Sequence, residues 1–221
     1  NADEANYRVV VSGACGSDQT SAEAGLTVND TTEITDQPDA ATVCKGSDAT
    51  FSVTAVGTNL TYQWQSNAGG SWSDLSDGGD ISGATTGSLT IANAEEGDEA
   101  DYRCQVSGTC GNETSDAVTL TVNQNTAITD DPDDQTVCEG AIAVFDVTAE
   151  GTGLNYQWQS GAGGSWQDLS DGGDISGAES DQLSVANSEN ADEANYRVVV
   201  SGACGSDQTS ADAVLTVTDT T

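Results

Sequence analysis

Histidine is absent from this 221-residue chain, and four basic side chains stand against 37 acidic ones, for a formal net charge of −33. Each shortage excludes something. Without histidine, a serine or cysteine nucleophile lacks its usual base, and no Gly-rich loop resembles a phosphate cradle, so the chain is expected not to be an enzyme. Carboxylate pairs occur everywhere in so acidic a sequence and therefore point to no acid–base site. With basic groups only at Arg8, Lys45, Arg103 and Arg197, phosphate backbones and anionic lipid surfaces are repelled, which excludes nucleic-acid and membrane-surface roles. No apolar run reaches membrane-spanning length and no signal-peptide pattern is found, so membrane insertion is not expected. The carboxylates are spread along the chain. That suits a self-repelling surface in a high-salt habitat better than dedicated Ca²⁺ binding.

What is present is repetition. Residues 1–22 and 190–211 are identical, both carrying "DEANYRVVVSGACGSDQTSA". A looser repeat relates 32–124 to 125–221: "TVCKG" faces "TVCEG", "YQWQS" recurs, and "DLSDGGDISGA" ends at Ala84 and again at Ala178. The domains are read as 1–29 (the C-terminal part of a unit), 30–124 and 125–221. The first stretch is the tail of a second-type unit, so the order is B(tail)–A–B, and the chain reads as a window on a longer tandem array. Short segments with a period of two recur in each unit: "TFSVTA" (50–55), "LTYQWQS" (60–66), "SLTIA" (88–92), "DYRCQVSG" (101–108) and "AVTLTVN" (117–123). Alternation marks strands with one buried face, and the intervening Gly, Asp and Ser supply turns. The expected fold is all-β, with two packed antiparallel sheets per unit. Too few residues separate the units for a flexible linker, so a stiff, extended arrangement end to end is expected.

"DEADYRC" resembles the D-x-A-x-Y-x-C signature of immunoglobulin-like domains, with Asp98, Ala100, Tyr102 and Cys104 in the four positions and Trp64 as the strand-C tryptophan. The resemblance implies tandem immunoglobulin-like β-sandwiches and a tyrosine corner at Tyr102. The layout "VC-x-G … YQWQ … YRVVVSG-x-CG … LTV" is similar to bacterial immunoglobulin-like repeats of large secreted or surface proteins. The usual inter-sheet disulfide is missing, since Val53 stands opposite Cys104 and the second unit has Val147 and Val198. Cys104 then reads as a small buried hydrophobe.

Each full unit holds one early and one late cysteine. If the first strand runs beside the last, Cys44 pairs with Cys110 and Cys138 with Cys204, each bond stabilising by ~4 kcal/mol through loop-closure entropy. Zinc is a weak alternative without histidine or close Cys pairs. Disulfides imply an extracellular or cell-surface location. Cys15, aligned with Cys204, has no partner in this scheme. Weak Ca²⁺ candidates are Asp74, Asp77 and Asp80, with Asp168, Asp171 and Asp174 in the second unit, although turn formation is the simpler use of "DLSDGGDISGA". Asp30, Asp36, Asp130, Asp131 and Asp133 form a second acidic group near the unit junctions. No other cofactor is expected. Trp72 and Trp166 invite sugar stacking but more simply pack on the sheet. Asn29, Asn59 and Asn112 match the glycosylation acceptor pattern. The expected function is a structural repeat protein forming a stalk, fibre or filament, through self-association or covalent continuation with further repeats. The alternative is an adhesin whose loops bind a glycan or protein ligand.

Overall fold

The computed structural model describes residues 3–162 and 164–219, and it is all-β apart from two short 3₁₀ turns. In the first sandwich one sheet runs in the order Ser73–Asp74, Thr61–Ser66, Asp101–Gly108, Val118–Asn123, Ala41–Cys44. Facing it are Ile81–Ser82, Ser88–Ile91 and Ala49–Ser52, while Glu33–Asp36 pairs with Thr54–Val56. The second sandwich repeats this order. Its larger sheet runs Gln135–Cys138, Ala213–Thr218, Asn195–Ser201, Asn155–Ala162, Ser165–Asp168, and its smaller one Ala143–Asp146, Gln182–Val185, Ile175–Ser176.

The alternation of apolar residues sets which face is buried. Along Asp101–Gly108, Tyr102, Cys104 and Val106 are buried while Gln105 is exposed. Trp64 is fully buried and its indole N–H donates to the Thr86 carbonyl at 2.9 Å. Phe51 stacks on Tyr102 at 5.1 Å between ring centres, and Phe145 and Tyr196 repeat this at 4.9 Å. Burying a large apolar side chain in this way contributes roughly 1.5–3 kcal/mol. The segment "TFSVTA" does not form one strand. It divides at Val53, whose N–H bonds to the Gly87 carbonyl, so its two halves pair with different partners.

A tyrosine corner is formed at the residues equivalent to Tyr102 in the other two copies of the motif. The Tyr196 hydroxyl donates to the Asp192 carbonyl at 2.9 Å, and Tyr7 repeats this to Asp3 at 2.8 Å. Burial, helped by the nearby Asp192 charge, pushes the Tyr196 phenol up to about 12. Burial likewise pushes the Cys104 thiol up to about 11, in keeping with a small core residue.

Residues 5–28 make two short strand pairs: Ala5–Tyr7 with Ala24–Leu26, and Val10–Val11 with Gln19–Thr20. Tyr7, Val9, Val10, Val11, Leu26 and Val28 are all exposed.

By contacts the chain forms two compact units. One comprises residues 1–41, 50–91 and 100–120; the other comprises 42–49, 92–99 and 121–221. The second unit therefore takes in Cys44 and the loop around Glu95 along with the whole second sandwich.

Candidate functional site

Five of the six candidate aspartates in the two "DLSDGGDISGA" segments accept hydrogen bonds from the turn or from neighbouring side chains. Asp77 accepts from the Ala84 N–H and Asp171 from the Ala178 N–H, both at 2.8 Å. Gly78 and Ile81 exchange backbone bonds across the turn, and Gly83 follows with a φ of 80°. A side chain at Gly83 is impossible there, since its Cβ would lie 2.1 Å from the Ser88 carbonyl oxygen. Asp74 accepts from Gln65 and Asp168 from Gln159, each at 2.7 Å. Asp174 accepts from the Asn187 side chain at 2.7 Å. In the second acidic group, Asp131 accepts from the Ala211 N–H at 2.8 Å. Among the described residues, no three His, Cys, Asp or Glu side chains come together in a way that would hold a metal ion, Asp80 included.

The two surface tryptophans belong to a matched ladder. The Arg103 guanidinium lies 4.0 Å over the Trp72 ring and donates through Nε to Gln65, which in turn donates to Asp74. Arg197, Trp166, Gln159 and Asp168 repeat the arrangement. An arginine across the ring face leaves no open platform for a sugar, so each tryptophan packs on its own sheet. Sequence reasoning missed the arginines and glutamines. The signal was present, because three of the four basic residues, Arg8, Arg103 and Arg197, follow the tyrosine of the repeated motif, and Arg103 is in register with Gln65. Elsewhere, a broad open depression of about 520 Å³ is lined by Gly161, Glu193, Asn195 and Thr216, with the Glu193 carboxylate already accepting from the Val217 N–H. The three acceptor asparagines are exposed, and Asn59 adopts a φ of 57°.

The cysteines depart from expectation. Cys44 is bonded to Cys204, with 5.6 Å between their Cα atoms, while Cys15, Cys110 and Cys138 are exposed free thiols and Cys104 a buried one. Neither Cys44–Cys110 nor Cys138–Cys204 forms, and strand direction explains why. The strand ending at Cys138 runs parallel to Ala213–Thr218, which places Cys138 opposite Thr218 at that strand's far end. Cys204 precedes the strand. At roughly 3.3 Å per residue, the two lie far beyond the Cα separation of about 7 Å that a disulfide tolerates. Equally, the Lys45 N–H bonds to the Asn123 carbonyl, so Cys44 sits at the end of the strand that Cys110 precedes.

What brings Cys44 to Cys204 is the short segment 123–126. Its start holds Lys45 through that 2.8 Å bond. Its end holds Cys204, whose carbonyl accepts from the Thr126 N–H at 2.9 Å and from its hydroxyl at 3.0 Å. Between them, the Asn125 side chain donates to the Lys45 carbonyl at 3.2 Å, and Gln124 bonds to Glu96. Lys45 also pairs with Glu95 at 2.9 Å, which raises its pKa by hydrogen bond and by charge.

Residues 32–122 match the immunoglobulin I-set domain family, and residues 129–219 match a domain family of unknown function, DUF8696. Endoglucanase C of Cellulomonas fimi is 35% identical over 176 residues, which cover 78% of this chain but only 15% of that enzyme. Among solved structures, a three-Ig-domain structure of titin carrying Glu-to-Ala mutations aligns with a TM-score of 0.74 at 16% identity, covering 98% of this chain and 75% of that one. The first four immunoglobulin domains of Sidekick-1 align with a TM-score of 0.68 at 19% identity, covering 98% of this chain and 59% of theirs. These structural likenesses concern the fold.

Proposed function

Because this chain belongs to the immunoglobulin-like repeat domains, built as tandem β-sandwiches, we propose that it is a non-catalytic structural module of an extracellular stalk, fibre or filament. The observation that carries this reading is the Cys44–Cys204 bond. It ties together, covalently, two segments that the 123–126 junction already holds by backbone hydrogen bonds. A flexible tether between independent binding modules needs neither. Closing a loop over a sequence separation of 160 removes unfolded-state entropy equivalent to about 5 kcal/mol. A persistent disulfide also fits an oxidising compartment. A similar stretch makes up 15% of Endoglucanase C, which supports a spacer role within a longer protein. No helix among the described residues is long and apolar enough to cross a membrane.

The acidity bears on assembly. Lateral association of such chains must overcome their mutual repulsion, so it requires high salt or bridging divalent cations. The reading is tested by screening the whole chain on glycan and protein arrays. Absence of selective binding is the expected result. Selective binding that is lost on changing the loops around Trp72 or Trp166 would establish the adhesin alternative instead.

A further inference from the structure

We propose that Cys110 and Cys138 form, with adjoining immunoglobulin-like units, the same cross-link that Cys44 and Cys204 form here. The cysteine that ends the early strand of each unit bonds to the cysteine in the late-strand corner of the unit that follows. This rests on the structural reading above and adds a pairing rule to it.

The free cysteines occupy positions equivalent to the bonded ones. Cys138 stands where Cys44 stands in its own sandwich. The residue after each bonds to the end of the last strand: Lys45 N–H to Asn123, and Glu139 N–H to Thr218, at 2.8 and 3.0 Å. Each cysteine carbonyl then accepts a turn bond, from Ser47 at 2.9 Å and from Ala141 at 3.0 Å. The glycines of the two turns have φ of 83° and 78°. Cys138 thus has the backbone geometry that presents Cys44 for bonding, and it is exposed.

Cys110 stands where Cys204 stands. The Thr32 N–H bonds to the Cys110 carbonyl at 3.1 Å, as the Thr126 N–H does to Cys204 at 2.9 Å. The Asp30 N–H bonds to the Thr58 hydroxyl as the Gln124 N–H does to Thr152, both at 2.9 Å. The Thr109 N–H bonds to the Thr58 carbonyl at 2.9 Å, and the Ala203 N–H to Thr152 at 2.8 Å. Both corners need glycine at close quarters, since a Cβ on Gly108 or Gly202 would meet a threonine hydroxyl at 2.3 or 2.4 Å. The corner at Cys110 thus shares the backbone bonds that hold Cys204, and it differs in being exposed where Cys204 is buried. The Thr126 hydroxyl donates to the Cys204 carbonyl, whereas the buried Thr32 hydroxyl has no partner among the described residues. Cys15 matches Cys204 within the identical 22-residue repeat and takes the same kind of partner.

The chemistry balances by thiol–disulfide exchange with a small-molecule disulfide as oxidant. The Cys138 thiolate attacks the small disulfide and releases one thiolate. The Cys110 thiolate of the following unit then attacks the Cys138 sulfur and displaces the second. Two protein thiols become one disulfide while the small disulfide is reduced to two thiols.

The test is disulfide mapping of the protein as its source makes it. Free thiols are blocked with iodoacetamide before any reduction, digestion is carried out at low pH, and the linked peptides are identified by mass. The expected result is a Cys138 peptide joined to a Cys110-type peptide, beside Cys44–Cys204, with neither Cys110 nor Cys138 alkylated. Alkylation of either one overturns the proposal, as do bonds within one sandwich or between like cysteines. Such a failure leaves the structural reading standing, because that reading depends on Cys44–Cys204. Denaturing gels separate the two sources of the adjoining unit. A ladder that collapses on reduction means separate copies, and an unchanged mass means units of one chain; the bond is upheld by both.

Discussion

The same 22 residues occur twice in this chain, at 1–22 and 190–211, and they end in opposite surroundings. At the second place Tyr196, Val198, Val200 and, further along, Leu215 are 3% exposed or less; at the first, Tyr7, Val9, Val11 and Leu26 are all about half exposed. Local bonds do not differ. The tyrosine corner forms in both, the Val9 and Val198 N–H groups each donate to a serine hydroxyl, and Val28 and Val217 each donate to a glutamate. What differs is strand length. Ala5–Tyr7 and Val10–Val11 at the first place become one continuous strand, Asn195–Ser201, at the second. The hairpin's turns and corners are thus encoded locally. Its continuous strand and its buried face come from the sheets packed against it.

That contrast can be broken most forcefully by truncation at twin positions. Leu215→Ala is expected to destabilise its sandwich by about 2–5 kcal/mol, whereas Leu26→Ala is expected to change stability by less than about 0.5 kcal/mol. Denaturant titration reads both, and equal costs would show that the first hairpin is also covered in solution. Comparable in size is Cys44→Ser, which removes the bond to Cys204 and should cost about 2–5 kcal/mol; an unchanged melting temperature would contradict the bond.

A smaller effect is expected from alkali. Cys104 and Tyr196 are held neutral by burial, with pKa values raised from 9.0 to about 11 and from 10.0 to about 12. For an acid whose pKa is raised by folding, the unfolded chain loses its proton first. Their contribution is therefore complete below pH 9 and declines as pH rises through 9 to 12. Thermal melts across that range should fall steadily, and a flat profile would contradict the burial of both groups. The smallest effect is Arg103→Ala, which removes a cation–π contact worth about 0.5–1 kcal/mol. Trp72 fluorescence should shift toward that of a wetter indole.

Much of the fold was legible because its signals are local. Alternation at Tyr102, Cys104 and Val106 placed a strand and its buried face, and the Asp–x–Ala–x–Tyr pattern placed the corner. The disulfide was not legible. Which end of its sandwich Cys138 reaches depends on the early strand running parallel to the last one, a pairing between segments some eighty residues apart, and Cys44 holds the equivalent place. Nothing near Cys44 in sequence records that. The Trp72–Arg103–Gln65–Asp74 ladder lies between these cases, since its members are far apart in the chain but their registers follow from the strands.

Cys44–Cys204 is expected to carry tension past the residues it encloses. Stretching single molecules from their two ends, with and without a reductant, tests it directly. In the oxidised chain the segment between the two cysteines, a separation of 160 residues, cannot extend. Reduction should release it, lengthening the fully unfolded chain by roughly 3.3–3.6 Å per residue, on the order of 500–600 Å. Identical extension in both conditions, with both sandwiches unfolding in the oxidised chain, would contradict the account.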